Sequence, residues 1–359
     1  MLLDAAIRDR LSRVRKRLLN SEVDALLFLD MRNIRYLTGF TGSDGALLVE
    51  REQAVLLVDG RYITQARGQA RQAKISEYRI KLEAIAECME KDGIKAAGFE
   101  ATAISYEDYV QLKEKIPQIV LVPKSDDGGL RSIKDAGEVN LIREACAIAS
   151  RTLTELLAGI KPGIGERDIA LELEYRMRQN GAEGVSFPTI CASGANAALP
   201  HASPGTRKLM AGDAVVIDFG AVYEGYHSDE TYTFFLGSAS SRQRELYGIV
   251  KEAHDRAIGA TKAGVPCSDI DRIARDHLEA AGVGKFFSHG TGHGVGLDVH
   301  EPPRIAAPSK AILEAGMVVT IEPGVYLPGE WGIRIEDTVL VNKDDCEVLT
   351  KIPKDFALF

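Results

Sequence analysis

The chain repeats itself beyond residue 160, and that repetition restricts the fold more than any other feature. The stretch "KPGIGERDIALELEYRMRQNGAEG" begins at Lys161 and "KAGVPCSDIDRIARDHLEAAGVG" at Lys262. At a constant offset of 101 residues, Lys161 falls on Lys262, Gly163 on Gly264, Asp168 on Asp269, Ile169 on Ile270 and Gly181 on Gly282. Each copy reads as a turn, an acid at a helix start, an amphipathic helix and a glycine stop. A second match follows it. "AGDAVVIDFGAVY" (211–223) aligns with "AGMVVTIEPGVY" (315–326) at an offset of 104, which puts Ile217 on Ile321, Asp218 on Glu322 and Gly220 on Gly324. "DET" at 229–231 then answers "EDT" at 336–338. Two halves with matching elements imply a pseudo-twofold α+β unit whose two hairpins face each other.

The repeat pairs Asp218 with Glu322 and Asp229 with Glu336. Each hairpin carries one acid on each arm, with turns expected near Tyr223–Glu224 and near Gly329. Residues at equal distance from a hairpin turn sit side by side, so both acids of a pair point to one face. A single acid there reads as a cap or a surface residue. Four acids on strands as apolar as "VVID" and "VVTIE" do not, because buried carboxylates repel unless protonated or bound to cations.

All seven histidines lie beyond residue 200. His289, His293 and His300 fall in the glycine-rich stretch "FFSHGTGHGVGLDVHEPPRI" (286–305), and His201 precedes the first acid hairpin much as His300 precedes the second. A lone histidine is usually a satisfied core or surface residue. Three within twelve residues of glycine-rich chain point to a site-forming strand and loop. Four carboxylates with about one imidazole form a hard, oxygen-rich ligand set suited to Mn2+, with Co2+ and Zn2+ as alternatives. Four carboxylates suffice to bridge two divalent ions. Such a pair holds an attacking hydroxide and polarises a carbonyl, the arrangement of metal-assisted hydrolysis. The remaining histidines would bind the substrate carbonyl and the oxyanion.

The bulk composition excludes other classes. A chain of 359 residues with 45% hydrophobic composition favours two domains, and a net charge of −8 offers no nucleic-acid footprint. The basic residues Arg8 to Arg17 alternate with leucines at helical spacing and read as the solvated face of a first helix. Five scattered cysteines with no CxxC pair argue for a reducing compartment and against thiolate metal sites. No apolar run suits a signal peptide or a membrane span, so the expectation is a soluble cytoplasmic protein with no membrane partner. Residues 1–123 read as alternating helix and strand, a smaller α/β domain. The polar stretch 124–137 reads as a linker, and 138–359 as the repeated domain.

"IDFGAVYEGYHSDET", "HGTGHGVGLDVHEPP", "TIEPGVY" and "GIRIEDT" together resemble the dinuclear pita-bread metallopeptidases. Within them the chain is similar to the Xaa-Pro peptidases, aminopeptidase P and prolidase. "NIRYLTGFTGSDGALLV" and "LLVDGRY" resemble the creatinase/prolidase N-terminal domain. The resemblance implies that Asp218, Asp229, His293, Glu322 and Glu336 hold two metal ions. Asp229 and Glu336 would bridge them, Asp218 would complete one, and His293 and Glu322 the other. It implies that Glu322 accepts a proton from the bridging water and that His201 and His300 contact substrate. His289, Thr231, Tyr326 and Arg334 would stand behind the ligands or at the substrate. Arg304 would meet a substrate carboxylate or form a surface ion pair. The family shows arginine in "SDxTRT" where this chain has Tyr232. The expected reaction is hydrolysis of peptides with proline in second position, releasing the N-terminal residue as aminopeptidase P does. Prolidase, which takes Xaa-Pro dipeptides, is the alternative. A homodimer is implied as well. A non-catalytic peptide-binding or scaffold protein of the same fold is the competing reading. Such proteins lose ligand positions, and here all five are filled.

Overall fold

The computed structural model describes residues 2–125 and 129–359, so part of the expected linker, residues 126–128, lies outside the described residues. Two compact units divide the chain, Met1–Leu130 and Arg131–Phe359.

The first unit contains helix α1 (Leu2–Leu19), strand β1 (Ala25–Phe28), α2 (Met31–Thr38), β2 (Ala46–Glu50), β3 (Ala54–Asp59), α3 (Ile63–Gln69), β4 (Lys74–Tyr78), α4 (Lys81–Lys91), β5 (Ala96–Glu100), α5 (Tyr106–Lys115) and β6 (Val120–Lys124). The strands form one mixed sheet in the order β4-β3-β2-β1-β5-β6. Near-continuous apolar runs in β1, β2 and β3 suit strands covered on both faces. Two elements depart from the sequence reading. Helix α3 stops at Gln69 although helix-forming residues continue past it, and "KISEY" forms β4 at the sheet edge, where its exposed polar side chains hide the strand pattern. Helix α2 has no apolar period long enough to show. It is held by the Asp30 side chain at its start and by Gly39, at φ 75°, at its end.

The second unit begins with α6 (Ala136–Leu157), closed by a capping box between Asp135 and Glu138. It continues with α7 (Glu166–Gln179), β7 (Gly184–Val185), β8 (Ile190–Ser193), β9 (Ala214–Phe219), β10 (Ala221–Tyr223), β11 (Tyr226–His227), β12 (Glu230–Phe235) and α8 (Ser241–Ala260). The remainder is α9 (Cys267–Ala280), β13 (Gly292–Gly294), β14 (Glu301–Ile305), β15 (Val318–Ile321), β16 (Gly324–Leu327), β17 (Trp331–Arg334), β18 (Asp337–Val341) and β19 (Cys346–Val348). The main sheets run β12-β9-β8 in one half and β14-β13-β15-β18-β19 in the other.

The sequence repeat is a structural repeat down to single hydrogen bonds. Gly163 N donates to Leu209 O at 2.8 Å, and Gly264 N to Leu313 O at 2.8 Å. Leu209 N donates to Ile164 O, and Leu313 N to Val265 O, both at 2.9 Å. Each half has its own core. In the first, α6 and α7 cover Val215, Ile217, Phe219, Tyr232 and Phe234; in the second, α8 and α9 cover Val319, Ile321, Val339 and Val341.

Alternation along these strands decides what faces the seam. With Ile217 and Ile321 turned to the helices, Asp218 and Glu322 turn the other way. Threonines join the halves there. Thr233 Oγ1 donates to Arg334 O at 2.7 Å, and Thr338 Oγ1 to Asp229 O at 2.7 Å.

Register corrects one expectation. The first turn centres on Glu224–Gly225, both at positive φ as a two-residue hairpin turn requires. Thr231, not Asp229, therefore stands directly opposite Asp218, and Asp229 is its diagonal neighbour on the same face. In the second hairpin the ladder ends at Ile321–Asp337, so Glu322 and Glu336 form the next pair out, directly opposed.

Candidate metal centre

The four acids converge on the seam. Asp218 stands near the end of β9, Glu322 just past β15, and Asp229 and Glu336 immediately before β12 and β18. His293, in the middle of β13, joins them. A Cβ on the preceding Gly292 would lie 1.9 Å from Thr320 O, so only glycine lets β13 run this close to β15. The imidazole Nε2 then lies 3.5 Å from Asp229 Oδ2 and 3.5 Å from Glu322 Oε1. Ligand atoms of Asp229, His293 and Glu336 all fall within 4.8 Å of one another.

The electrostatics of this cluster are those of a cation site. Burial first, then the neighbouring acids, pushes Asp229 and Glu336 well above the ordinary carboxylate range. Burial also pushes Glu322 up to about 7, with Arg334 opposing and Asp218 adding to the rise. His293 is pushed down to about 4 by burial and by His300, whose ring centroid is 4.3 Å away. Its Nδ1 lies 3.0 Å from Gly294 O, a hydrogen bond that leaves a neutral Nε2 lone pair facing the acids. Asp218 Oδ1 is buried and has no hydrogen-bond partner among the described residues. An orphaned buried carboxylate oxygen beside three acids pushed up by burial is what a divalent cation resolves. The donor set fits such an ion.

Arg334 organises the acid side of the site. Its Nη2 donates to Asp218 Oδ2 at 2.6 Å, Nε to Thr231 Oγ1 at 3.0 Å, and Nη1 to Tyr326 OH at 2.7 Å and Pro200 O at 3.2 Å. Thr231 Oγ1 in turn donates to Glu336 Oε2 at 2.6 Å. Tyr326 OH lies 2.9 Å from His289 Nε2, and His289 Nδ1 2.8 Å from Gly290 O. Burial and Arg334 push His289 down to about 4, so this chain of bonds ends in a neutral imidazole.

Not every candidate sits in the cluster. His201 and His300 are exposed, and of the two His300 lies against the cluster, its ring 4.3 Å from that of His293. Arg304 is exposed in β14, opposite His293 in the ladder. Tyr232 faces the helices, its ring stacked on Phe234 at 6.1 Å, away from the carboxylates. The side chains of Asp218, His293 and Glu322 keep 14, 15 and 18% exposure.

Supporting residues that sequence reasoning missed come from other elements. Thr320 Oγ1 accepts from His293 N at 3.1 Å, and only its position two residues before Glu322 on "VVTIE" could have marked it. On α9, Asp271 Oδ1 accepts from Thr291 N and Oγ1 at 3.1 and 2.9 Å, and Arg275 Nη2 donates to His289 O at 2.9 Å. These two look like ordinary charges of a surface helix.

Residues 140–343 match the metallopeptidase family M24, and residues 10–175 match the creatinase/prolidase N-terminal domain. An Xaa-Pro dipeptidase from Pyrococcus furiosus is 37% identical over 97% of this chain and 99% of its own length. A solved Xaa-Pro dipeptidase from Bacillus anthracis superposes with a TM-score of 0.96 at 37% identity, covering 98% of this chain and 100% of that one. A solved X-Pro aminopeptidase from Thermotoga maritima gives 0.89 at 35% identity, covering 96% and 99%.

Proposed function

The chain belongs to metallopeptidase family M24 and has the pita-bread catalytic fold with a creatinase/prolidase N-terminal domain, and from that membership we propose a dinuclear metallo-exopeptidase that hydrolyses Xaa-Pro peptides. The observation that carries the reading is the meeting of Asp229, His293 and Glu336 ligand atoms within 4.8 Å, with Asp218 and Glu322 near enough to push those acids up and one buried oxygen of Asp218 lacking a partner among the described residues. We assign Asp218, Asp229, His293, Glu322 and Glu336 as the ligands of two divalent ions, with Asp229 and Glu336 shared. The oxygen-rich set favours Mn2+ over Co2+ or Zn2+. We also assign residues 1–123 and 138–359 as the two domains, joined through 124–137.

When bound, the ions polarise the scissile carbonyl and acidify the attacking water. The remaining work falls to the chain. Glu322, whose Oε1 lies 3.5 Å from His293 Nε2, would take a proton from the attacking water and return it to the departing proline nitrogen. His201 and His300 meet the substrate carbonyl and the oxyanion. Arg334 holds Asp218 and Thr231 in place and, through Tyr326, orients His289.

Relatives described as Xaa-Pro dipeptidases favour the prolidase reading over the aminopeptidase P reading that the sequence puts first. Arg304, exposed and opposite His293, offers a partner for the free carboxylate of a dipeptide's proline. No helix among the described residues is long and apolar enough to cross a membrane. The scattered, odd set of cysteines supports a cytoplasmic location, and family membership supports a homodimer, which light scattering would test. The deciding experiment compares turnover of an Xaa-Pro dipeptide and an Xaa-Pro-Xaa tripeptide with Mn2+ present. Preference for the dipeptide supports prolidase; preference for the tripeptide returns the assignment to aminopeptidase P.

A further inference from the structure

Each of the two acids assigned as bridges is followed by another acid that points away from the seam. Glu230 and Asp337 open β12 and β18, and alternation turns them toward the helices while Asp229 and Glu336 face the metal centre. Both are enclosed, with side chains 0 and 7% exposed. One cation serves both. Lys354, on the segment after β19, places Nζ 2.5 Å from Glu230 Oε1 and 3.5 Å from Asp337 Oδ1. Its own side chain is 5% exposed. Ser150 Oγ donates to Glu230 Oε2 at 2.5 Å, and Thr350 Oγ1 to Asp337 Oδ1 at 2.5 Å. His254 Nε2 lies 3.2 Å from Asp337 Oδ2. The segment carrying Lys354 is tied down in turn: Lys351 N donates to Ser150 Oγ at 3.0 Å, and Tyr247 OH to Lys354 O at 3.2 Å.

A buried ion cluster of this kind is weak evidence for stability, because desolvating three charges offsets their attraction. Its position is more informative. Glu230 belongs to the first half of the repeat and Asp337 to the second, and each is one peptide bond from a bridging ligand. We propose that Lys354 is a positioning residue of the metal centre, which binds Glu230 and Asp337 together and so fixes the separation at which Asp229 and Glu336 reach the same two ions. This rests on the two-ion reading above.

The test is Mn2+ binding by calorimetry on metal-free wild type, K354M, K354R and E230Q/K354M, each with its thermal midpoint measured without metal. The double variant removes one charge of each sign, so the net charge of the cluster is unchanged. K354M is expected to bind Mn2+ about 10- to 100-fold more weakly, the range for residues that orient ligands from behind, and K354R to recover part of the loss. E230Q/K354M is expected to regain thermal stability over K354M while its Mn2+ affinity stays low. A double variant that binds two Mn2+ with wild-type affinity overturns the proposal and leaves Lys354 a stabilising role alone, even if K354M fails to fold. A wild-type chain that binds no Mn2+ overturns the two-ion reading, and this proposal with it.

Discussion

Arg334 Nη2 donates to Asp218 Oδ2 across the seam at 2.6 Å, while the other oxygen of that carboxylate is buried without a partner among the described residues. One oxygen is thus held by a fixed cation of the protein. Arg334 stands on β17 and Asp218 on β9, so the bond also joins the two halves of the repeat.

Replacing Arg334 tests that bond directly. R334M leaves Asp218 beside three other acids with no guanidinium, and breaking a buried pair in this way costs about 3–5 kcal/mol. R334K keeps a charge but loses the fork that reaches Asp218, Thr231 and Tyr326 together. Thermal melts of metal-free protein should therefore rank wild type above R334K and R334K above R334M.

The metal-free protein should lose stability as pH rises. Glu322 titrates at about 7 when folded against an ordinary value of 4.5, so between those values the folded state holds a proton that the unfolded chain has released. Stability then falls with rising pH across that window, on the order of 3 kcal/mol from Glu322 alone, and Asp229 and Glu336 extend the loss upward. Saturating Mn2+ should flatten the profile, because the ions neutralise the same carboxylates. Melting curves from pH 5 to 8, with and without Mn2+, decide it.

Neutralising Glu336 should have opposite effects on the metal-free and the metal-loaded forms. E336Q removes a like charge from a crowded buried site yet keeps an oxygen for the Thr231 hydroxyl, now 2.6 Å from Glu336 Oε2. Above pH 7 the metal-free variant should melt higher than metal-free wild type, whereas added Mn2+ should raise the wild type far more than the variant. Paired melts measure both, and turnover should fall with the lost metal.

The acids stand out along the chain because a carboxylate ending a run such as "VVID" contradicts its surroundings, and because the contradiction occurs twice. His293 stands out because glycines flank it. Register is less visible: Asp218 and Asp229 share a face, but whether they are opposed or diagonal depends on one turn, Glu224–Gly225, whose position a pattern search places a residue too early. Strand β4 escapes notice because an edge strand with one exposed face can be polar. Asp271, Arg275 and Lys354 escape it for another reason. Each is an ordinary charged residue in sequence, and only the fold carries it next to a site built from strands far away in the chain.

The seam should hydrolyse Xaa-Pro bonds only when divalent ions occupy it. The most direct measurement titrates Mn2+ into metal-free protein and follows bound ions and turnover of an Xaa-Pro dipeptide together, with an Xaa-Ala dipeptide as control. Turnover of the proline peptide should rise with bound Mn2+, reach its plateau at two ions per chain, and vanish on chelation, with little cleavage of the control. Full turnover in chelated protein would show that the seam works without metal, and equal cleavage of both peptides that it does not select proline.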